Sequence, residues 1–174
     1  LDKKLYLAHL PNGFKTSMDS VLLASACPAK ANEKILDMGC GVGGSGFCVL
    51  KRVNHIQLIG VEIQKEQVLL AKQNAFKNKL DEQSDFIHCD IRDYKNEKYF
   101  DHAIMNPPYL EEGKHLRSPY EEKAKAMGHE ESTLEDWVQS AHFNLKSKGS
   151  LTTIHRADQI DEIIRIMGKR FGAI

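Results

Sequence analysis

Short apolar runs alternate with helix-length stretches along nearly the whole chain, and this alternation restricts its fold more than any other feature. Residues 34–37 read as a short buried strand, 57–63 as a second, 85–89 as a third, 100–105 as a fourth and 149–154 as a fifth. Helices are expected through 21–26, 47–50, about 65–77, 134–145 and 159–167. In the helix over 134–145, Trp137, Ala141 and Leu145 fall on one face. Strands joined through helices run parallel, because each crossover lays its helix on a sheet face. The expected fold is therefore α/β: a Rossmann-like, mostly parallel sheet with helices on both faces. A chain of 174 residues suits one domain with a sizeable core, spanning 1–174.

The flanks are less regular. Pro11-Asn12-Gly13 between short apolar runs predicts a hairpin over about 5–16. Asp19 or Ser20 is placed to N-cap the first helix, which Pro28 ends. Residues 110–132 form a long polar stretch that mixes Lys114, Arg117, Lys123 and Lys125 with six glutamates, a functional lid or a solvated loop. Phe171-Gly172-Ala173-Ile174 reads as the start of a sixth strand. The C-terminal strands are expected to be truncated, and the first residue is Leu1 rather than Met.

Composition excludes several classes. Lys+Arg and Asp+Glu both number 24, so the net charge is zero and any nucleic-acid contact must come from a local patch or from a part of the protein absent from this chain. Cys27, Cys40, Cys48 and Cys89 form no C-x-x-C pair, and the histidines show no ligand spacing, so no metal site is expected. No apolar run is long enough to span a bilayer and no signal pattern is present. Reduced thiols in a cytoplasmic protein are the expectation.

The chemistry gathers at strand ends. Asp37-Met38-Gly39-Cys40-Gly41-Val42-Gly43-Gly44 turns the first strand into a helix. Gly39, Gly41 and Gly44 satisfy G-x-G-x-x-G, where glycines let backbone approach a ligand and helix N–H groups face it. That pattern alone serves any nucleotide. Asp37 narrows it: a carboxylate there repels a pyrophosphate but accepts from the amino group of a methionine moiety, which favours S-adenosylmethionine. Glu62 ends the second strand, where a carboxylate can bind both ribose hydroxyls of S-adenosylmethionine or of NAD. Both acids could also serve only as helix caps. Asp90 after the third strand is placed to accept from an adenine amino group, with Ile91 beside the ring, or to make an ordinary turn.

Asn106-Pro107-Pro108-Tyr109 follows the fourth strand directly and is the most specific signal. Two prolines fix φ twice and remove two donors, leaving carbonyl oxygens as acceptors on a rigid turn. The Asn106 side-chain oxygen and the Pro107 carbonyl can both accept from a planar –NH2. Two such acceptors favour pyramidalisation and localise a lone pair otherwise delocalised into the ring. Tyr109 offers a face on which a base can stack.

Together Asp37-x-Gly39-x-Gly41-x-Gly43 and Asn106-Pro107-Pro108-Tyr109 resemble the class I S-adenosylmethionine-dependent methyltransferases of amino groups. Gly13-Phe14-Lys15, Asp19-Ser20-Val21-Leu22-Leu23-Ala24, Ser118-Pro119, Trp137 and Ile154-His155-Arg156-Ala157-Asp158 are most similar to the tRNA1(Val) adenine-N6 methyltransferases. The resemblance implies S-adenosylmethionine as cofactor and tRNA as substrate. It implies a cofactor site of Asp19, Asp37, Gly39, Gly41, Gly43, Glu62, Asp90, Ile91 and Asn106. It implies a catalytic site of Asn106, Pro107 and Tyr109, with residues 16–19 near the methionine end of the cofactor. N-P-P-Y also fits a glutamine methyltransferase of a release factor or an adenine-N6 enzyme of DNA; a guanine-N2 enzyme of ribosomal RNA belongs to the same class, usually with a different aromatic after N-P-P. An NAD-dependent dehydrogenase would explain the glycines and Glu62 but not Asn106.

Overall fold

The structure, a computed structural model, describes residues 5–11, 15–108 and 132–174. Five strands form one sheet: β1 (Lys34–Met38), β2 (Gln57–Glu62), β3 (Ser84–His88), β4 (Phe100–Met105) and β5 (Leu145–Thr153). Their order is β3-β2-β1-β4-β5, and every pairing is parallel. Among the described residues five α-helices accompany them: α1 (Met18–Ala26), α2 (Gly44–Arg52), α3 (Lys65–Asn78), α4 (Leu134–Asn144) and α5 (Ile160–Met167).

Alternation along β1 divides the core. Ile35 joins a cluster with Leu23, Phe47, Val49, Val68 and Ala71 of α1, α2 and α3. Leu36 and Met38 point to the other face, into a cluster with Trp137, Val138, Ala141, Ile166 and Met167 of α4 and α5. Both faces of the sheet are therefore covered, as the near-continuous apolar strands require. The order in which strands are added reverses at β1: β2 pairs on one side and β4 on the other. In sheets of this kind, ligands bind outside the carboxyl ends of the strands at that switch point. The register aligns those ends, since Met38 lies opposite both Val61 and Met105, and Glu62 opposite His88.

Several local expectations are corrected. Ser17, not Asp19 or Ser20, caps α1, its side chain accepting the Asp19 N–H. Residues 5–10 lie in no strand, while the predicted turn at Asn12-Gly13 is outside the described residues. The backbone of the N-terminal segment instead pairs with two asparagines of α3. Asn74 accepts the Ala8 N–H and donates to the Ala8 carbonyl; Asn78 does the same for Tyr6. The match is geometric: four helical residues rise about 6 Å and two extended residues slightly more. β5 begins at Leu145, directly after α4, because Leu145 pairs with Phe100 ahead of a register shift to His102 and Ser150. Residues 171–174 form no strand. The Phe171 N–H closes on the Met167 carbonyl, and the Phe171 ring packs against the α4–α5 cluster, edge-on to His142.

Candidate functional site

The glycine turn is a run of left-handed backbone. Gly39, Gly41 and Gly43 have φ of 62°, 55° and 92°. At Gly43, the N-cap of α2, a Cβ would also meet the Phe47 ring at 2.4 Å, so no other residue fits there without rearrangement. No side chain caps α2 at Gly43. Asp37 takes over part of that role from the end of β1, its Oδ2 accepting the Gly46 N–H at 2.9 Å.

Glu62 ties the turn to β2. One carboxylate oxygen accepts the Gly41 N–H at 3.0 Å and the other accepts the Gln64 N–H at 2.8 Å. Both acids are buried, Asp37 2% and Glu62 6% exposed. Burial pushes the Asp37 carboxyl up to about 7, against the Gly46 hydrogen bond and with help from the Glu62 charge. Burial raises Glu62 as well, opposed by the N–H groups of Gln64, Gly41 and Ile63. Each carboxylate retains acceptor capacity beyond its backbone partners, since ionised it offers about four lone-pair sites. The electrostatic character of the turn is therefore acidic and desolvated. A cationic group seated there would be favoured and would draw the proton from Asp37, whereas a pyrophosphate would be repelled.

The segment before α1 reaches the same turn. The Thr16 side chain lies against Gly44, its Oγ1 2.5 Å from where a Cβ would stand. Asp19 sits in the first turn of α1, just after the Ser17 cap. Asn74 fixes this arrangement from below. It is fully buried and donates to the Val42 carbonyl at 3.1 Å as well as pairing with Ala8, so one side chain holds both the glycine turn and the N-terminal segment.

Asp90 and Ile91 follow β3, as expected, and Asp90 opens the turn that the sequence allowed, its carbonyl accepting the Asp93 N–H. Asp90 holds Arg92 through a bidentate pair, with Nη2 to Oδ2 at 2.6 Å, and also accepts the Arg92 N–H. Ile91 is buried in the cluster beneath α4, and its carbonyl accepts the Ser140 hydroxyl at 2.6 Å. A small cleft lined by Arg92, Lys95, Asp136, Gln139 and Ser140 opens beside them.

Asn106 is exposed one residue past the end of β4, level with Gly39 across β1, and Pro107 behind it is buried. Tyr109 and residues 110–131 lie outside the described residues. The described structure thus brings Asp37, Gly39, Gly41, Gly43, Glu62, Asn106 and Pro107 to one end of the sheet, with Asp90 beyond β3 on the same side. Sequence reasoning missed Asn74, Arg92, the contact between Thr16 and Gly44, and Gln67, whose Oε1 lies 3.1 Å from where a Gly41 Cβ would stand. It also missed how Trp137 meets Gly39. All are contacts between segments distant in sequence, apart from Asp90 with Arg92.

All four cysteines are unpaired, and burial pushes the Cys40 thiol well above its ordinary range. Among the described residues no group of His, Cys, Asp or Glu could hold a metal ion, and no helix is long and apolar enough to cross a membrane.

Comparison with known proteins bears on the family and the fold. A family model described as methyltransferase small domain matches residues 14–174. A tRNA1(Val) (adenine(37)-N6)-methyltransferase of Glaesserella parasuis is 26% identical over 156 residues, 90% of this chain and 65% of that protein. A protein of the same description from Pedobacter heparinus is 27% identical, covering 91% of this chain and 66% of its own length. The chain thus spans just under two thirds of the length of these curated relatives. Among solved structures, a predicted O-methyltransferase from Agrobacterium tumefaciens superposes with a TM-score of 0.71 at 26% identity, over 89% of this chain and 69% of that one. A SAM-dependent O-methyltransferase from Thermotoga maritima gives 0.65 at 20% identity, over 97% and 53%, a likeness of fold.

Proposed function

Because this chain belongs to the methyltransferase small domain family, we propose that it transfers a methyl group from S-adenosylmethionine to the exocyclic N6 of an adenine in RNA, with tRNA1(Val) as the substrate. The observation that carries the reading is the pairing of two elements at one sheet end: an acidic, desolvated glycine turn and an Asn-Pro-Pro turn. The turn fits the cofactor because the buried carboxylates of Asp37 and Glu62 suit a ligand bearing an amino group and ribose hydroxyls. Asp37 would accept from the amino group, Glu62 from the ribose hydroxyls and Asp90 from the adenine. When bound, the cofactor supplies an electrophilic methyl group on a positively charged sulfur.

The protein's own contribution is orientation. Asn106 Oδ1 and the Pro107 carbonyl hold the two hydrogens of the target amine and localise its lone pair. Tyr109 stacks the base, which is flipped out of its own stack. No strong general base is needed, because the amine proton becomes acidic only once the nitrogen has been methylated. The names of the relatives support adenine in tRNA as the acceptor, and because these 174 residues carry no net charge, the RNA contacts that they make come from local patches.

Calorimetric titration with S-adenosylmethionine and with NAD, followed by radiolabelled transfer to competing tRNA, ribosomal RNA, DNA and release factor, tests the proposal. Saturable S-adenosylmethionine binding and label in tRNA are expected. NAD binding in its place would overturn the cofactor assignment. Label in release factor, ribosomal RNA or DNA would overturn the substrate assignment alone.

A further inference from the structure

Trp137 is the one tryptophan of the chain, and it stands against the first glycine of the turn. A Cβ on Gly39 would lie 2.5 Å from Trp137 Cη2 and 3.2 Å from Cζ3, so the benzene edge of the indole fills the space that a side chain at position 39 would need. Gly39 holds a φ of 62° there and is exposed on its other side, while Trp137 is 6% exposed. The Gly39 backbone is thus a thin layer between the indole and the open end of the sheet. The indole itself is anchored twice. Its Nε1–H donates to Ser132 Oγ at 2.9 Å. Its helix starts in a capping box, where Thr133 Oγ1 accepts the Asp136 N–H and Asp136 Oδ2 accepts the Thr133 N–H. A ring fixed at both its helix and its polar edge makes a stiff wall, whereas a flexible aliphatic side chain would yield.

We propose that Trp137 is a positioning residue of the cofactor turn: its indole holds the Gly39 backbone where the ligand docks and so sets cofactor affinity without touching the reacting atoms. The inference rests on the cofactor reading above. It has a spectroscopic consequence, because a ligand on the open face of Gly39 lies one backbone thickness from the only indole in the protein.

The test is a titration of the chain with S-adenosylhomocysteine, followed in parallel by tryptophan emission and calorimetry. A saturable change in emission is expected, with a midpoint equal to the calorimetric Kd. Trp137→Phe keeps an aromatic edge but loses the bond to Ser132, and is expected to raise the Kd several-fold. Trp137→Leu removes the wall and is expected to raise it tenfold or more, in protein whose circular dichroism matches wild type. Calorimetric binding with unchanged emission, or an unchanged Kd in folded Trp137→Leu, would overturn this inference and leave the cofactor reading standing. No calorimetric binding by the wild type would overturn both. If Trp137→Leu does not fold, the emission titration and Trp137→Phe decide.

Discussion

Replacing Asp37 by Asn should remove a pH dependence from the stability of the fold. Asp37 is 2% exposed, and burial moves its carboxyl from an ordinary 3.8 to about 7. The folded state therefore holds this proton in a range where the unfolded chain has released it. Stability from this group is highest in acid and falls as pH rises from about 4 to about 7. With one pKa unit equivalent to about 1.4 kcal/mol, the group costs roughly 4 kcal/mol by pH 8, of which about 2.5 kcal/mol is lost between pH 5 and pH 8. For a domain of this size that is roughly 5–10 °C in Tm. Asp37→Asn keeps an oxygen for the Gly46 N–H and cannot ionise. Whatever its amide hydrogens cost is the same at both pH values, and the titration of groups that do not feel the Asp37 charge cancels in the comparison; Glu62, which does, carries part of the difference. Thermal melts of both proteins at pH 5 and pH 8 are the assay. The wild type should lose several degrees more than the variant on going to pH 8. Parallel loss in the two would show that Asp37 is not the buried, proton-binding group the geometry makes it, and the argument for an acidic turn would fail with it.

Three further outcomes are expected. Glu62→Ala removes a charge-assisted acceptor worth about 1.5–3 kcal/mol, so calorimetry should show S-adenosylmethionine binding roughly 10- to 150-fold weaker, and unchanged affinity would mean that the turn serves something else. Asn106→Ala should lower the single-turnover rate of methyl transfer far more than cofactor affinity, because Asn106 addresses the acceptor; a fully active variant would sink the mechanism. Asn74→Leu deletes three hydrogen bonds at a fully buried position and leaves Ala8 and Val42 groups without their partner, so chemical denaturation should show a loss of at least about 2 kcal/mol, and hydrogen exchange at the Ala8 amide should accelerate.

The sheet was legible because buried parallel strands are written as apolar runs. The fourth strand matches the expected 100–105 residue for residue, and β1 and β2 differ by one residue at an end. What was not legible depends on partners. Nothing in the sequence singles out Asn74 or Asn78, and only the folded chain shows them pairing with the N-terminal backbone. The early start of β5 depends on a register shift against β4, which Leu145 does not announce. Ser17 and Asp19 are both competent caps, and the choice between them is local geometry. At the site, Asp37, Glu62 and Asn106 were legible as strand-end residues. Their hydrogen-bond partners were not, because Gly46, Gly41 and Gln64 offer only backbone N–H groups, which every residue but proline carries. Asp90 was read as an acceptor for an adenine amino group or as part of an ordinary turn; its pair with Arg92, two residues away, is one that sequence spacing alone could have suggested.

The most direct test of the central claim is the chemical identity of the transferred methyl group. Bulk tRNA lacking this modification is incubated with the chain and methyl-deuterated S-adenosylmethionine, digested to nucleosides and analysed by mass spectrometry. The account predicts deuterated N6-methyladenosine, strongly reduced with Asn106→Ala. Deuterium in N2-methylguanosine, or in no nucleoside at all, would contradict it.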